Sequence, residues 1–102
     1  MSKPRALTLS AKESLILQLL SGGREMYGLE LVAASRRRLK RGTIYVTLGR
    51  MEQKGFVVSR AEDGPPPGGG LPRRLYTPTA LGLRVYALWS EVSGALTPEA
   101  AS

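Results

Sequence analysis

The chain has 102 residues, with fifteen Lys and Arg against eight Asp and Glu, a net charge of +7, and neither Cys nor His. That length supports one domain with a modest core, small enough to gain from a partner chain. The missing thiols and imidazoles exclude zinc fingers, iron-sulfur clusters, disulfide frameworks and His-based catalysis, and no apolar run approaches the ~20 residues that span a bilayer. Met1 to Ser10 lacks the apolar core of a secretory signal, so a cytoplasmic protein without metal or cofactor is expected.

Residues 1–7 have no periodicity and read as a loose arm. Ser10-Ala11-Lys12-Glu13 then has capping-box spacing, and Leu15, Ile16, Leu19 and Leu20 form an apolar stripe, which together predict a helix over 11–21. Gly22-Gly23 offers the left-handed residue that helix ends prefer. A second helix is predicted from Tyr27 to about Arg37, with Tyr27, Leu31 and Val32 facing inward and Gly28 letting a neighbouring helix approach. The run Arg36-Arg37-Arg38-Leu39-Lys40-Arg41 ends it.

A third helix is predicted from about Arg41 to Lys54, because Ile44, Leu48 and Met51 fall at i, i+4 and i+7 and Gly55 supplies the stop. Its outward arc holds Gly42, Thr43, Val46, Gly49, Arg50 and Gln53, with Thr47 at the border. Phe56 to Arg60 and Arg73 to Thr77 read as strands. Between them, the Pro and Gly residues from Pro65 to Gly70 can propagate neither helix nor ladder, so the two strands make a hairpin with a long tip. Thr79 can then cap a final helix, over about 79–96, on which Leu81, Val85, Leu88, Trp89, Val92 and Leu96 recur at spacings of three and four. A helix placed after such a hairpin has little room on a small trihelical core, so its stripe is expected to pack against a second subunit. The expected organisation is an arm (1–7), a domain of three helices and a hairpin (8–78), a dimerisation helix (79–96) and a tail (97–102).

Charge is concentrated along this chain. From Arg36 to Arg60 eight cations face Glu52 alone, a balance of +7, whereas residues 1–35 contribute +1 and residues 61–102 contribute −1. A basic block between two helical segments, followed by a helix with a small polar outer face, suits a polyanion approached closely. Nucleic acid is the obvious partner.

Three blocks carry a family resemblance: Met26-Tyr27-Gly28-Leu29-Glu30-Leu31; Gly42-Thr43-Ile44-Tyr45 with Leu48, Arg50-Met51-Glu52 and Gly55-Phe56-Val57; and Pro72-Arg73-Arg74 with Tyr76, Thr79 and Gly82. Over about Ser10 to Gly82 the chain resembles the PadR family of bacterial transcriptional regulators, in its short form with a single C-terminal helix. The resemblance implies a mainly α, α+β winged helix-turn-helix: a three-helix core, a two-stranded β-wing, and terminal helices that pair two subunits of what is usually a repressor. Two positions depart from the family pattern. Lys40 stands where many relatives carry a capping Ser, and Pro78 replaces an apolar residue, so the second wing strand is expected to end early.

In a helix-turn-helix the second helix of the motif enters the major groove, which places Thr43, Val46, Thr47 and Arg50 over base edges. Arg50 has the fork for guanine, and Val46 or a Thr methyl can meet thymine. Arg36, Arg37, Arg38, Lys40 and Arg41 are expected on phosphates, with Tyr45 and one of Arg73 and Arg74. Glu62 and Asp63 would be repelled there. The dimer interface is expected to use Leu81, Val85, Leu88, Trp89 and Val92. Trp89 and Tyr86 could line a cleft for a small aromatic effector, although ordinary interface packing accounts for them better. The rival reading is a winged helix used for protein or RNA contacts. Catalysis finds little support: a Ser10–Lys12 pair is explained by capping, and no phosphate-cradling Gly-rich loop precedes a Lys.

Overall fold

The computed structural model describes residues 9–64 and 73–96, the last five by backbone alone. The expected arm, the Pro/Gly tip and the tail lie outside the described residues. Seven elements follow in order: α1 (Ala11–Leu20), β1 (Met26–Tyr27), α2 (Gly28–Ala34), α3 (Ile44–Gln53), β2 (Val57–Ala61), β3 (Arg74–Pro78) and α4 (Ala80–Leu96). The three strands form one antiparallel sheet in the order β1-β3-β2. Helices and sheet enclose one core, in which Ile16, Leu17, Leu20, Leu31, Leu48, Met51, Phe56 and Val57 are fully buried.

The capping box opens α1: Ser10 Oγ accepts the Glu13 N–H at 3.1 Å and Glu13 Oε1 accepts the Ser10 N–H at 2.9 Å. Gly23, with φ +87, takes the left-handed position after the helix. The end of α3 is a Schellman motif. The Phe56 N–H reaches Met51 O at 2.9 Å, the Gly55 N–H reaches Glu52 O at 3.0 Å, and Gly55 has φ +82.

Three expectations need correction. The wing sheet has three strands, not two, because Met26 and Tyr27 are extended and pair with Tyr76 and Leu75. Two residues are too few to show alternation in sequence, and Tyr27 consequently read as helix. Secondly, α2 ends at Ala34, short of Arg37, and the chain passes through Arg36 and Arg37 at φ +56 and +71. Left-handed backbone costs roughly 1–2 kcal/mol per non-Gly residue. Ser35 holds this turn: its hydroxyl donates to Val32 O at 2.7 Å and accepts the Leu39 N–H at 2.9 Å. The bend carries Leu39 into the core at 2 % exposure, and burying a Leu contributes about 1.5–3 kcal/mol, which offsets much of the strain. Thirdly, Pro78 does not cut β3 short. It is the last residue of the strand, opposite Val57, beyond the two residues that β1 pairs with, so its missing N–H breaks no ladder bond to β1.

Candidate nucleic-acid interface

Regular α3 begins at Ile44, not Arg41, because residues 41–43 form a turn whose Thr43 and Ile44 amides both donate to Lys40 O, at 3.2 and 2.9 Å. Lys40 therefore opens the helix with its carbonyl while its side chain stays exposed. Thr43 occupies the cap position, and its hydroxyl makes no cap bond. The Thr47 hydroxyl turns back to Thr43 O at 3.2 Å, and the residue is half-buried at the edge of the arc. Thr43, Val46, Gly49 and Arg50 are all exposed, Val46 at 55 %, while Ile44, Leu48 and Met51 are buried beneath them. The predicted reading arc is an uncovered surface.

Thr43, Val46, Thr47 and Arg50 open into a single groove, whose opposite wall is the stretch Leu9 to Glu13 at the start of α1. At its floor Lys54 Nζ meets Glu13 Oε2 at 2.8 Å, with the Glu13 side chain only 5 % exposed. This ion pair joins the first turn of α1 to the C-terminal end of α3 and fixes the tilt of that helix. Arg50, one turn before Lys54, has no acidic partner among the described residues. A guanidinium left unpaired on an exposed helix face keeps its five donors available.

The basic run does not form one continuous rim. Arg36, Arg37 and Arg41 border an apolar depression on α2 beside Leu29, Val32 and Ala33. Arg38, immediately after the left-handed pair, lies on another side, near Trp89 and the α1 residues Ala11, Ser14 and Leu15.

The wing strand divides its two arginines as well. Arg73 forms a forked pair with Glu62 at 3.0 and 3.1 Å, and its guanidinium lies 4.2 Å from the centre of the Tyr27 ring. The Tyr27 hydroxyl donates to the same carboxylate at 2.5 Å. Arg73 holds the Glu62 carboxyl below its usual range, and Glu62 in turn pushes the Tyr27 phenol up. Glu62 thus neutralises Arg73. Arg74 instead binds Ser59, through Nε to Oγ at 3.0 Å, and meets no carboxylate among the described residues.

Tyr45 is 52 % exposed, with its ring laid over Gly28; a Cβ at Gly28 would sit 2.6 Å from Tyr45 Cε1. The close approach expected of Gly28 is real. Tyr27, Tyr45 and Tyr76, with Leu29, Ala33 and Arg74, wall a cleft between α2, α3 and β3. The aromatic rings therefore converge beside α3, while Tyr86 packs against the core and Trp89 lies along α1. On α4, Leu81, Leu88 and Trp89 are exposed at 41, 57 and 39 %, but Val85 is 6 % exposed inside the core of its own chain. Val85 is withdrawn from the expected interface; its period matches the stripe, yet it points the other way. No side-chain position is described for Val92.

Sequence patterns passed over Ser35 and Leu39, which bend the basic turn, and the pairing of Glu13 with Lys54, which ties α3 to α1. Leu39 carried the one available signal, as the sole apolar residue in the basic run.

A cationic turn leading into an exposed helix of small residues, with a three-stranded wing, defines a winged helix-turn-helix of the transcriptional-regulator class. The chain belongs to the PadR-like family of transcriptional regulators, which it matches over residues 16–88. It is similar to a PadR family transcription regulator of Clostridium difficile (29 % identity, 85 % of this chain and 95 % of that one, TM-score 0.66). A protein of Thermoplasma acidophilum described as a transcriptional regulator matches at 25 % identity over 82 % of this chain and 81 % of its own, TM-score 0.69. A PadR-like transcriptional regulator of Bacillus cereus shares the fold at 24 % identity, 82 % of each chain and TM-score 0.63. No curated protein matches the chain. The family makes this a DNA-binding regulator, and among the described residues no helix is long and apolar enough to cross a membrane.

Proposed function

We propose that the protein is a homodimeric repressor that reads a near-palindromic operator, with α3 of each subunit in the major groove. The observation that carries this reading is Arg50: a guanidinium without an acidic partner among the described residues, on a bare arc of Thr, Val and Gly, one face away from a buried apolar stripe. Arg50 makes the forked contact to guanine, worth about 1–3 kcal/mol of discrimination, while Thr43, Val46 and Thr47 meet neighbouring base edges. Arg36, Arg37, Lys40, Arg41 and Arg74 hold phosphates, and Tyr45 donates its phenol to another. Arg38 and Arg73 contribute less, since one faces α4 and the other is neutralised by Glu62. The exposed Leu81, Leu88 and Trp89 of α4 pair the subunits and set the two reading helices about 34 Å apart, or a multiple of that. Repression follows where the operator overlaps a promoter and the dimer excludes polymerase.

A binding selection from random duplexes at fixed salt, repeated with variants, tests the reading. Arg50→Ala relaxes the selected sequence at one or two positions, whereas Arg37→Ala weakens every duplex alike and lowers the salt slope by about 0.9. Identical shifts for both variants on all sequences would remove the base-reading role of Arg50. A wild-type protein that selects no sequence would favour the rival reading, a winged helix for protein or RNA contacts.

A further inference from the structure

We infer that the first turn of α1 is a second wall of the DNA-binding surface, and that Lys12 binds a backbone phosphate of the same duplex that α3 reads. The inference rests on the DNA-reading role of α3 proposed above and adds a contact from an element outside the helix-turn-helix.

The geometry carries it. Lys12 lines the groove into which Thr43, Val46, Thr47 and Arg50 all open, so a duplex seated on those four residues brings a strand past α1. The groove's ionisable lining is Lys12, Arg50 and Lys54 against Glu13, a balance of +2. Of these cations Lys54 is consumed by Glu13 at 2.8 Å, which leaves Lys12 and Arg50 as the two cations of the groove with no carboxylate paired to them among the described residues. Two uncompensated cations lining one groove repel until an anion lies between them, and a phosphodiester supplies one.

The turn that bears Lys12 is also held in place. Ser10 and Glu13 close the capping box on either side of it, and the second oxygen of the same Glu13 is the one bound to Lys54 of α3. The Lys12 backbone is thus tied to the reading helix through one buried carboxylate, so its ammonium searches only the space its own stem allows. Sequence bookkeeping assigns Lys12 to the nearly neutral segment 1–35. Folding brings it into the groove that Arg50 lines.

Lys12 is exposed and its side chain makes no hydrogen bond among the described residues, so Lys12→Gln leaves the melting temperature unchanged. Binding of wild type, Lys12→Gln, Lys12→Glu and Arg24→Gln to the selected duplex and to a scrambled one is measured from 50 to 300 mM salt. Arg24 is the control, an exposed cation beyond the opposite end of α1. Lys12→Gln is expected to lower the salt slope by about 0.9 and affinity at 0.15 M salt by about five-fold on both duplexes. Lys12→Glu weakens both further, and Arg24→Gln changes neither. A wild-type slope in Lys12→Gln overturns the inference while leaving the DNA-reading role intact. An equal loss in Arg24→Gln overturns it too, because overall charge would then be the cause. A loss confined to the selected duplex makes Lys12 a base contact and refutes the phosphate assignment. A wild-type chain that binds neither duplex defeats the parent reading and this one together.

Discussion

Gly82→Ala distinguishes packing from helix propensity, because the two predict opposite signs. Gly82 lies in the first turn of α4, where the helix starts against the turn that ends α3. A Cβ at this position would fall 2.2 Å from Phe56 O and 2.9 Å from Phe56 C, both backbone atoms of a fully buried residue. No side-chain rotation relieves that overlap, so α4 must lift. Lifting strains two further bonds, Thr79 N–H to Phe56 O at 3.0 Å and Thr79 Oγ1 to Gly55 O at 2.5 Å, and it loosens Val85 in the core. Overpacking costs about 1–3 kcal/mol. Each lost hydrogen bond adds about 1 kcal/mol, and the propensity gain of Ala over Gly returns about 1 kcal/mol. The net is a destabilisation of about 2–4 kcal/mol, which lowers the melting temperature by at least about 8 °C in a domain of this size. Thermal unfolding followed by circular dichroism reads the change. If Gly82→Ala melted at or above the wild-type temperature, as propensity alone requires, the docking of α4 on the Gly55–Phe56 turn would be refuted.

Gly49→Ala is the converse case. Gly49 is exposed in the middle of α3, with nothing within 4 Å of its added Cβ, so the variant gains up to about 1 kcal/mol and melts several degrees higher. Its DNA affinity should fall, because the methyl stands on the outward arc of α3 that is proposed to meet the bases; tighter or equal binding would show that the duplex does not close on this part of the helix. Replacing Leu88 and Trp89 together by Ala should weaken the dimer by about 2 kcal/mol or more, roughly thirty-fold, and shift sedimentation toward monomer. An unchanged dimer would move the interface off α4. Acid should destabilise the wing: Arg60 holds Glu25, and Arg73 holds Glu62, below the ordinary carboxylate range. The unfolded chain therefore binds more protons near pH 4, and the stability these pairs give is complete above that range and lost as pH falls through the depressed folded values. Melting temperature against pH should flatten on the acid side in Glu62→Gln, and an unaltered acid limb would remove that pair from the account.

The local signals in this chain were legible because they need only a few consecutive residues. Ser10 and Glu13 fixed the start of α1, Gly55 the stop of α3, Thr79 the cap of α4, and the period of Ile44, Leu48 and Met51 the buried side of the reading helix. Once that side is known, the exposure of Thr43, Val46 and Arg50 follows from 3.6 residues per turn. The sequence likewise located the basic block at residues 36–41.

What sequence order could not hold is which distant groups meet. A two-residue strand has no period, so β1 appears only when Tyr76 and Leu75 arrive to pair with it. The heptad-like stripe of α4 does not say that Val85 turns to its own core while Leu88 faces outward. Charge counted along the chain overstates the continuity of the basic rim, since burial of Leu39 bends the run and sends Arg38 to the α4 side. It also spends Arg73 on Glu62 and Lys54 on Glu13, pairs 11 and 41 residues apart. Coulomb interaction depends on distance in space, so tertiary structure alone decided which cations remain free for a phosphate.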